Sequence, residues 1–212
     1  MSATRLEQEI SHLRNPGRII NLTDGVFAII MTLLVLELKI PEVSADKLET
    51  EFFQLGYKLF LYGISFMLAG VYWMGHRLIF SHVRYVNNKL LWMNVIFLMI
   101  CSLIPFGAGL LGTYPHELCS LIAYGILLTM LAGWRLFMYF YVTSKHELLV
   151  EVVQKKQRNN VLVIMIFAPT MFLLSLCIVP FFPTVTLIIY AITPLIFTAL
   201  ITIANHPKKS TE

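Results

Sequence analysis

The chain has 212 residues, of which 58% are hydrophobic and only 13% are charged, and its formal net charge is +4. A soluble globular domain contains roughly 25% charged residues, and a core of this size cannot hide so much apolar surface from water. The composition therefore excludes an ordinary soluble domain and indicates that lipid surrounds much of the chain. The small net charge gives no support to nucleic-acid binding.

Six stretches of the chain are apolar and long enough to cross a bilayer, which takes about 20 residues per helix. They cover residues 19–40, 55–80, 90–111, 118–141, 161–181 and 184–204. Pro105, Pro169 and Pro194 fall inside these stretches and are expected to kink the helices. The sequence therefore predicts an all-α membrane protein with six transmembrane helices, and its short connections leave no room for a soluble catalytic domain.

Basic residues are distributed unequally between the two sets of connections. About twelve Lys and Arg residues lie on the side of the chain termini, and only Lys39, Lys47 and Lys58 lie on the other side. The positive-inside rule then predicts a multi-pass protein of the cell membrane with both termini cytoplasmic. Arg135, late in the fourth span, is expected to snorkel to the cytoplasmic side. We divide the chain into a cytoplasmic segment at 1–17, a transmembrane domain at 18–206 and a cytoplasmic tail at 207–212.

The first span carries polar residues within its first two turns, among them Thr23 and Asp24. An ionisable residue in a membrane helix costs free energy unless it is paired or faces water. One interpretation is a helix cap, because Thr and Asp favour helix starts, where they meet unpaired N–H groups. The other is a functional polar site, and these residues alone do not decide between the two.

Beyond these polar residues, Ile29, Leu33 and Leu36 follow i, i+4, i+7 spacing and share one face of the helix. Asp24 projects about 140° away from Ile29, and Thr32 lies about 60° beside the apolar stripe. If four such helices converge, the stripe forms stacked apolar rings, and Thr32 adds a ring of hydroxyls. Ordinary helix packing produces the same periodicity more often than a pore does, so spacing alone leaves both interpretations open.

The second span ends in the run YWMGHRLIF, where Trp73 and His76 lie three residues apart on one face. If this span runs antiparallel to the first, His76 lies at the depth of Thr23 and Asp24. These four side chains can then form a hydrogen-bonded cluster, which satisfies polar groups inside a membrane. The alternative is interfacial anchoring of His76 and Trp73 at the membrane surface.

The segment from Arg18 to Asp24, RIINLTD, resembles the R-x-x-x-F-S-D motif of the transmembrane protein 175 family, the lysosomal potassium channels and their prokaryotic relatives. Leu22 stands in place of the usual Phe, and Thr23 in place of the usual Ser. The pair Trp73 and His76 is similar to the family's W-x-x-H ending of the second helix. The third span, which opens with LLWMN and ends near LIPF, is also typical of the family.

The resemblance implies a homotetramer of six-helix subunits in which the first helix lines a central pore. Ile29 corresponds to the family's main constriction, and Thr32 to a residue implicated in potassium preference. Leu33 and Leu36 correspond to further apolar rings, so potassium ions are expected to pass transiently near Ile29 and Thr32. The supporting network is expected to consist of Arg18, Thr23, Asp24, Trp73 and His76.

We therefore expect a potassium-selective channel that conducts passively through a hydrophobic constriction of the first helix. Its expected partners are further copies of the same chain, membrane lipid and potassium ions, with no soluble cofactor and no nucleic acid. The alternative is a proton-coupled secondary transporter in which Asp24 and His76 relay protons. An intramembrane enzyme is not expected, because Asp24, His76 and His82 lack recognisable metal-ligand spacing.

Overall fold

A computed structural model of the chain describes residues 15–38, 48–145, 148–149 and 155–205. Within these ranges it contains seven helices: α1 Pro16–Leu36, α2 Leu48–Ser81, α3 Asn88–Cys101, α4 Ile104–Thr113, α5 Leu118–Ser144, α6 Lys155–Ile178 and α7 Pro183–Asn205. Residues 1–14 of the predicted N-terminal segment and the whole predicted tail lie outside the described residues. The remaining residues of that segment open α1.

Six segments of the described chain are helical and apolar enough to cross a membrane, with α3 and α4 together forming the third. The predicted count of six spans is therefore confirmed. The observed helices extend beyond several predicted bounds, since α1 begins at Pro16 and α2 is 34 residues long. Pro169 and Pro194 lie inside helices, as predicted.

The third span is broken, where the sequence predicted one continuous kinked helix. α3 ends at Cys101, and α4 begins at Ile104, with Pro105 in its first turn. Proline has no N–H to donate, and its ring collides with the preceding helical turn. The proline therefore stops one helix and opens the next rather than bending a single helix.

The start of α1 is fixed by Asn15 and Pro16. The Asn15 side chain accepts a hydrogen bond of 2.8 Å from the N–H of Gly17. The ring of Pro16 fixes its backbone φ angle at a value that suits the first helical position. Asp24 consequently lies eight residues inside the helix. The interpretation of Thr23 and Asp24 as a helix cap is therefore wrong, and their polar groups need partners elsewhere.

The spans pack so that α1 lies against α2, α3 and α4, while α6 and α7 pack with α5 on the other side of the subunit. We call the end of the bundle where α1 begins the proximal end, and the end where α1 stops the distal end. Near the proximal end, the N–H of Arg84 donates to the carbonyl of Leu148 at 2.6 Å. This hydrogen bond joins the connection that follows α2 to the one that follows α5.

At Gly125, helix α5 packs tightly against α6 and α7. A Cβ atom added to Gly125 would overlap the Tyr190 hydroxyl and lie 2.6 Å from Leu176 Cδ2. The Tyr190 hydroxyl donates to the carbonyl of Leu121 at 3.0 Å, so it cannot retreat without losing that bond. A Cβ at Gly133, two turns further along α5, would meet nothing within 4 Å.

Gly125→Ala is expected to destabilise the protein by roughly 1–3 kcal/mol, the usual cost of overpacking. Gly133→Ala is the matched control, and it is expected to be neutral or to stabilise by up to about 1 kcal/mol through helix propensity. Thermal unfolding of both detergent-purified variants measures the difference. Equal midpoints for the two variants would contradict the tight packing inferred at Gly125.

Candidate functional site

Helix α1 has one face buried in its own subunit and one face left uncovered. The buried face carries Ile19, Thr23, Phe27, Ile30 and Leu34. These residues recur every three or four positions, so they form one stripe. This stripe packs against the second and third spans.

The uncovered face contains the residues predicted to line a pore. Ile29 is 59% exposed, Leu33 43% and Leu36 67%, and Thr32 is exposed beside them. Arg18 is also exposed, and helical geometry puts it within about 20° of Ile29. A face that combines a cation and a hydroxyl with apolar side chains is poorly suited to lipid alone.

The Thr32 hydroxyl is held by its own helix. Its oxygen lies 2.8 Å from the carbonyl oxygen of Ile29 and 3.1 Å from that of Ala28, and it donates its proton to them. A hydroxyl has one proton and two lone pairs. Its lone pairs therefore remain available to an ion or a water molecule on the uncovered face.

A polar cluster ties the buried face of α1 to the second and third spans. The ring of His76 donates from Nε2 to Asn94 Oδ1 at 2.7 Å, since a carbonyl oxygen can only accept. The amide of Asn94 donates to Thr23 Oγ1 at 3.3 Å, and Thr23 Oγ1 lies 3.5 Å from His76 Nε2. All three side chains are buried. The cluster therefore fixes the rotation of α1 about its own axis.

A second polar contact lies beside this cluster. The indole N–H of Trp73 donates to Asp24 Oδ1 at 2.7 Å. The guanidinium of Arg77 lies 5.4 Å from the centre of the Trp73 ring, within the range of a cation–π interaction. The Asp24 carboxylate thus points into its own subunit, away from the uncovered face of α1.

The His76 ring is enclosed by aromatic rings. Phe80 stacks on it at 4.3 Å between ring centres, and Phe97 lies 5.7 Å from it. Its Nδ1 atom is buried and has no hydrogen-bond partner among the described residues. The described residues contain no hydrogen bond between His76 and Asp24. Each of the two groups is bonded to a different partner.

Of the predicted supporting network, Thr23, Asp24, Trp73 and His76 are brought together, whereas Arg18 is exposed and stands apart from them. Asn94 is a member of the network that the predicted set left out. The signal for it was a single amide inside the apolar run that opens the third span, at a depth matching that of His76.

Arg135 does not snorkel as predicted. It is only 2% exposed, and its guanidinium lies 4.0 Å from the Phe197 ring centre and 4.7 Å from that of Tyr72. Gly75 makes room for it, because a Cβ there would be 3.1 Å from Arg135 Nη1. The residue faces other helices roughly 14 Å before the end of α5, so its side chain has no route along lipid to the membrane surface.

Within the described part of the chain, no group of three or more His, Cys, Asp or Glu side chains could hold a metal ion. The polar groups near α1 are instead a hydroxyl, an amide, an imidazole, an indole and one carboxylate. Groups of this kind can hold a helix in place through hydrogen bonds to its neighbours. Six membrane-crossing helices, the first three of which are joined by these polar contacts, define a multi-pass α-helical membrane protein.

Comparison with known proteins agrees with this class. The family described as endosomal/lysosomal potassium channel TMEM175 matches residues 18–105. This range contains α1 from Arg18 onward, the polar cluster and the break in the third span. The resemblance to the transmembrane protein 175 family, predicted from the sequence, is therefore confirmed over these residues.

Relatives and a solved structure extend the comparison. A protein named potassium channel from Chryseobacterium sp. (strain P1-3) is 37% identical over 116 residues, covering 55% of this chain and 59% of that relative. A Danio rerio protein named endosomal/lysosomal proton channel TMEM175 is 19% identical, covering 74% of this chain and 31% of the relative. The chain spans about half the length of the curated prokaryotic relatives it matches.

The fold matches the crystal structure of a lysosomal potassium-selective channel TMEM175 homolog from Chamaesiphon minutus. The TM-score is 0.79 at 23% identity, and the match covers 90% of this chain and 98% of the other. The likeness extends over nearly all of the chain, beyond the segment that carries the family motifs. The six-helix architecture is therefore the fold of that channel.

Proposed function

We propose that this chain forms a potassium-selective channel in which four copies surround a central pore lined by α1. The observation that carries the proposal is the uncovered face of α1, where Ile29, Leu33 and Leu36 stand exposed beside Thr32. The names of the relatives and of the solved channel support the same function. Further copies of the chain would cover this face and bury its apolar rings.

In this proposal Ile29, Leu33 and Leu36 form a hydrophobic constriction. Such a constriction opposes conduction by dewetting, and a passing ion must shed part of its water shell. Potassium sheds water more readily than sodium does, so a narrow apolar ring favours potassium. The free lone pairs of Thr32 would replace part of the lost hydration, and Ile29 and Thr32 would be the positions where a potassium ion rests transiently.

The polar cluster would keep the conducting face turned toward the axis. Thr23 and Asp24 are bonded on the other side of α1, to Asn94 and Trp73 respectively. A rotation of α1 would break these bonds and leave buried polar groups unpaired, which costs free energy. Arg18, exposed at the proximal end of α1, would lie at the entrance of the pore, which we assign to the cytoplasmic side of the cell membrane.

The structure offers no support for a proton-coupled transporter based on Asp24 and His76. A relay needs a hydrogen-bonded path, and the described residues contain no bond between the two groups. The aromatic rings of Phe80 and Phe97 also flank the imidazole. We therefore propose passive conduction, with no catalytic step and no cofactor other than the permeating ion.

Single-channel recording tests the proposal. Purified protein is placed in a planar bilayer with potassium on one side and sodium on the other. We expect discrete current steps and a reversal potential displaced toward that of potassium. Saturable, proton-coupled flux without unitary steps, or the absence of any current from intact oligomers, would overturn the proposal.

A further inference from the structure

A cavity lies toward the distal end of the bundle, away from α1. It has a volume of about 260 Å³ and is lined by residues of α2, α4, α5 and α7. An apolar cavity of about 150 Å³ in another protein stays dry and binds benzene. The space here is therefore large enough for a larger apolar guest.

The wall of this cavity is mostly apolar, since nine of its thirteen lining residues are Ala, Leu, Ile or Phe. Tyr190 donates its hydroxyl proton to the carbonyl of Leu121, and the Tyr124 hydroxyl lies 3.5 Å from Ser65 Oγ. A stable buried water needs two to four polar partners, which the nine apolar residues of the wall cannot supply. The cavity consequently suits hydrocarbon better than water.

The cavity opens sideways, between α2 and α7. Phe60, Ile188 and Ile192 belong to its lining and are also exposed on the outer surface of the subunit. An exposed apolar surface at this depth of a membrane-crossing bundle faces lipid chains. A bilayer lipid can therefore enter from the side without passing through water.

A basic side chain, that of Lys58, lies on the distal side of this opening. Lys58 follows Tyr57, which lines the cavity, and lies about one helical turn closer to the distal end than Leu61. Lys58 lines a smaller neighbouring cavity together with Glu37, but the described residues contain no ion pair between them. Its ammonium is therefore available to a phosphate at the membrane surface.

We propose that this cavity binds one acyl chain of a phospholipid from the distal leaflet, with the lipid phosphate near Lys58. Leu61 and Ala108 line both this cavity and the smaller one, which is also lined by Leu34 and Glu37 at the end of α1. The bound chain would thus press on the residues against which the pore helix packs. Lipid occupancy would then adjust the potassium current, a consequence that rests on the proposed function.

Photolabelling tests the binding site. The full chain is reconstituted in lipid nanodiscs with a phosphatidylcholine that carries a diazirine near one acyl end, irradiated, digested and mapped by mass spectrometry. We expect labels on the lining residues of α2 and α7. Ala191→Phe, which fills the cavity, is expected to reduce them at least fivefold, whereas Ala199→Phe, at an exposed position of the same helix, leaves them unchanged.

Several outcomes would overturn the site. These are equal labelling of wild type and Ala191→Phe, uniform labelling of all exposed helix faces, and crosslinks joining two copies across the opening. Each variant is used only if its oligomer size and thermal midpoint match the wild type, and Ala191→Leu replaces Ala191→Phe if the larger side chain prevents folding.

Two further comparisons separate the parts of the proposal. Lys58→Gln is expected to reduce labelling by the phosphatidylcholine probe several-fold but not labelling by a diazirine diacylglycerol, which lacks the phosphate. An equal effect on both probes would refute the role of Lys58.

Loss of labelling in Ala191→Phe with an unchanged current would refute the coupling to α1. A wild type that labels but carries no current would refute the channel function and leave the lipid site standing.

Discussion

Ile29→Asn is expected to raise the potassium current about tenfold and to bring the sodium and potassium permeabilities close to each other. The amide wets the constriction, so an ion no longer has to cross a dry apolar ring. Lowering a barrier by about 1.4 kcal/mol raises a rate about tenfold, and in the proposed tetramer four substitutions would act at one level. Single-channel conductance and reversal potentials between potassium and sodium solutions measure both effects.

Val35→Asn is the matched control for this experiment. Val35 is exposed on the same helix, but it projects about 120° from Ile29. The same polar group there should leave conductance and selectivity unchanged. If Val35→Asn raises the current as much as Ile29→Asn does, or if neither variant alters it, Ile29 does not form the constriction.

Asp24→Ala is expected to lower the stability of the protein and the yield of intact oligomer. The substitution removes a charged acceptor 2.7 Å from the Trp73 indole, and a hydrogen bond to a charged group contributes roughly 1.5–3 kcal/mol. Trp73→Phe removes the other partner, so the double variant should be little worse than either single one. Thermal midpoints and size-exclusion profiles of the four proteins form a double-mutant cycle.

Trp92→Phe serves as the control for the tryptophan substitution, because Trp92 is exposed on α3. It should leave the midpoint and the oligomer unchanged. Purely additive losses in the cycle would show that Asp24 and Trp73 do not stabilise the protein through each other. Wild-type yield and oligomer size for Asp24→Ala would refute the structural role of Asp24 altogether.

The sequence alone could not identify the partners within the polar cluster. Trp73 and His76 share a face with three-residue spacing, which put them near Thr23 and Asp24, but spacing does not tell which group bonds to which. The structure pairs Trp73 with Asp24 and His76 with Asn94. Asn94 comes from a third helix, and its distance from α1 depends on how the first three spans cross.

The sequence by itself determined the number of spans, the family resemblance and the two faces of α1. These follow from local properties, because apolar length and helical period are set by neighbouring residues of one segment. Only the tertiary structure decided the burial of Arg135, the pairing of the cluster and the lateral cavity. Each of these depends on atoms from separate helices coming within a few ångströms, and the positions of those atoms are set by packing along the whole bundle.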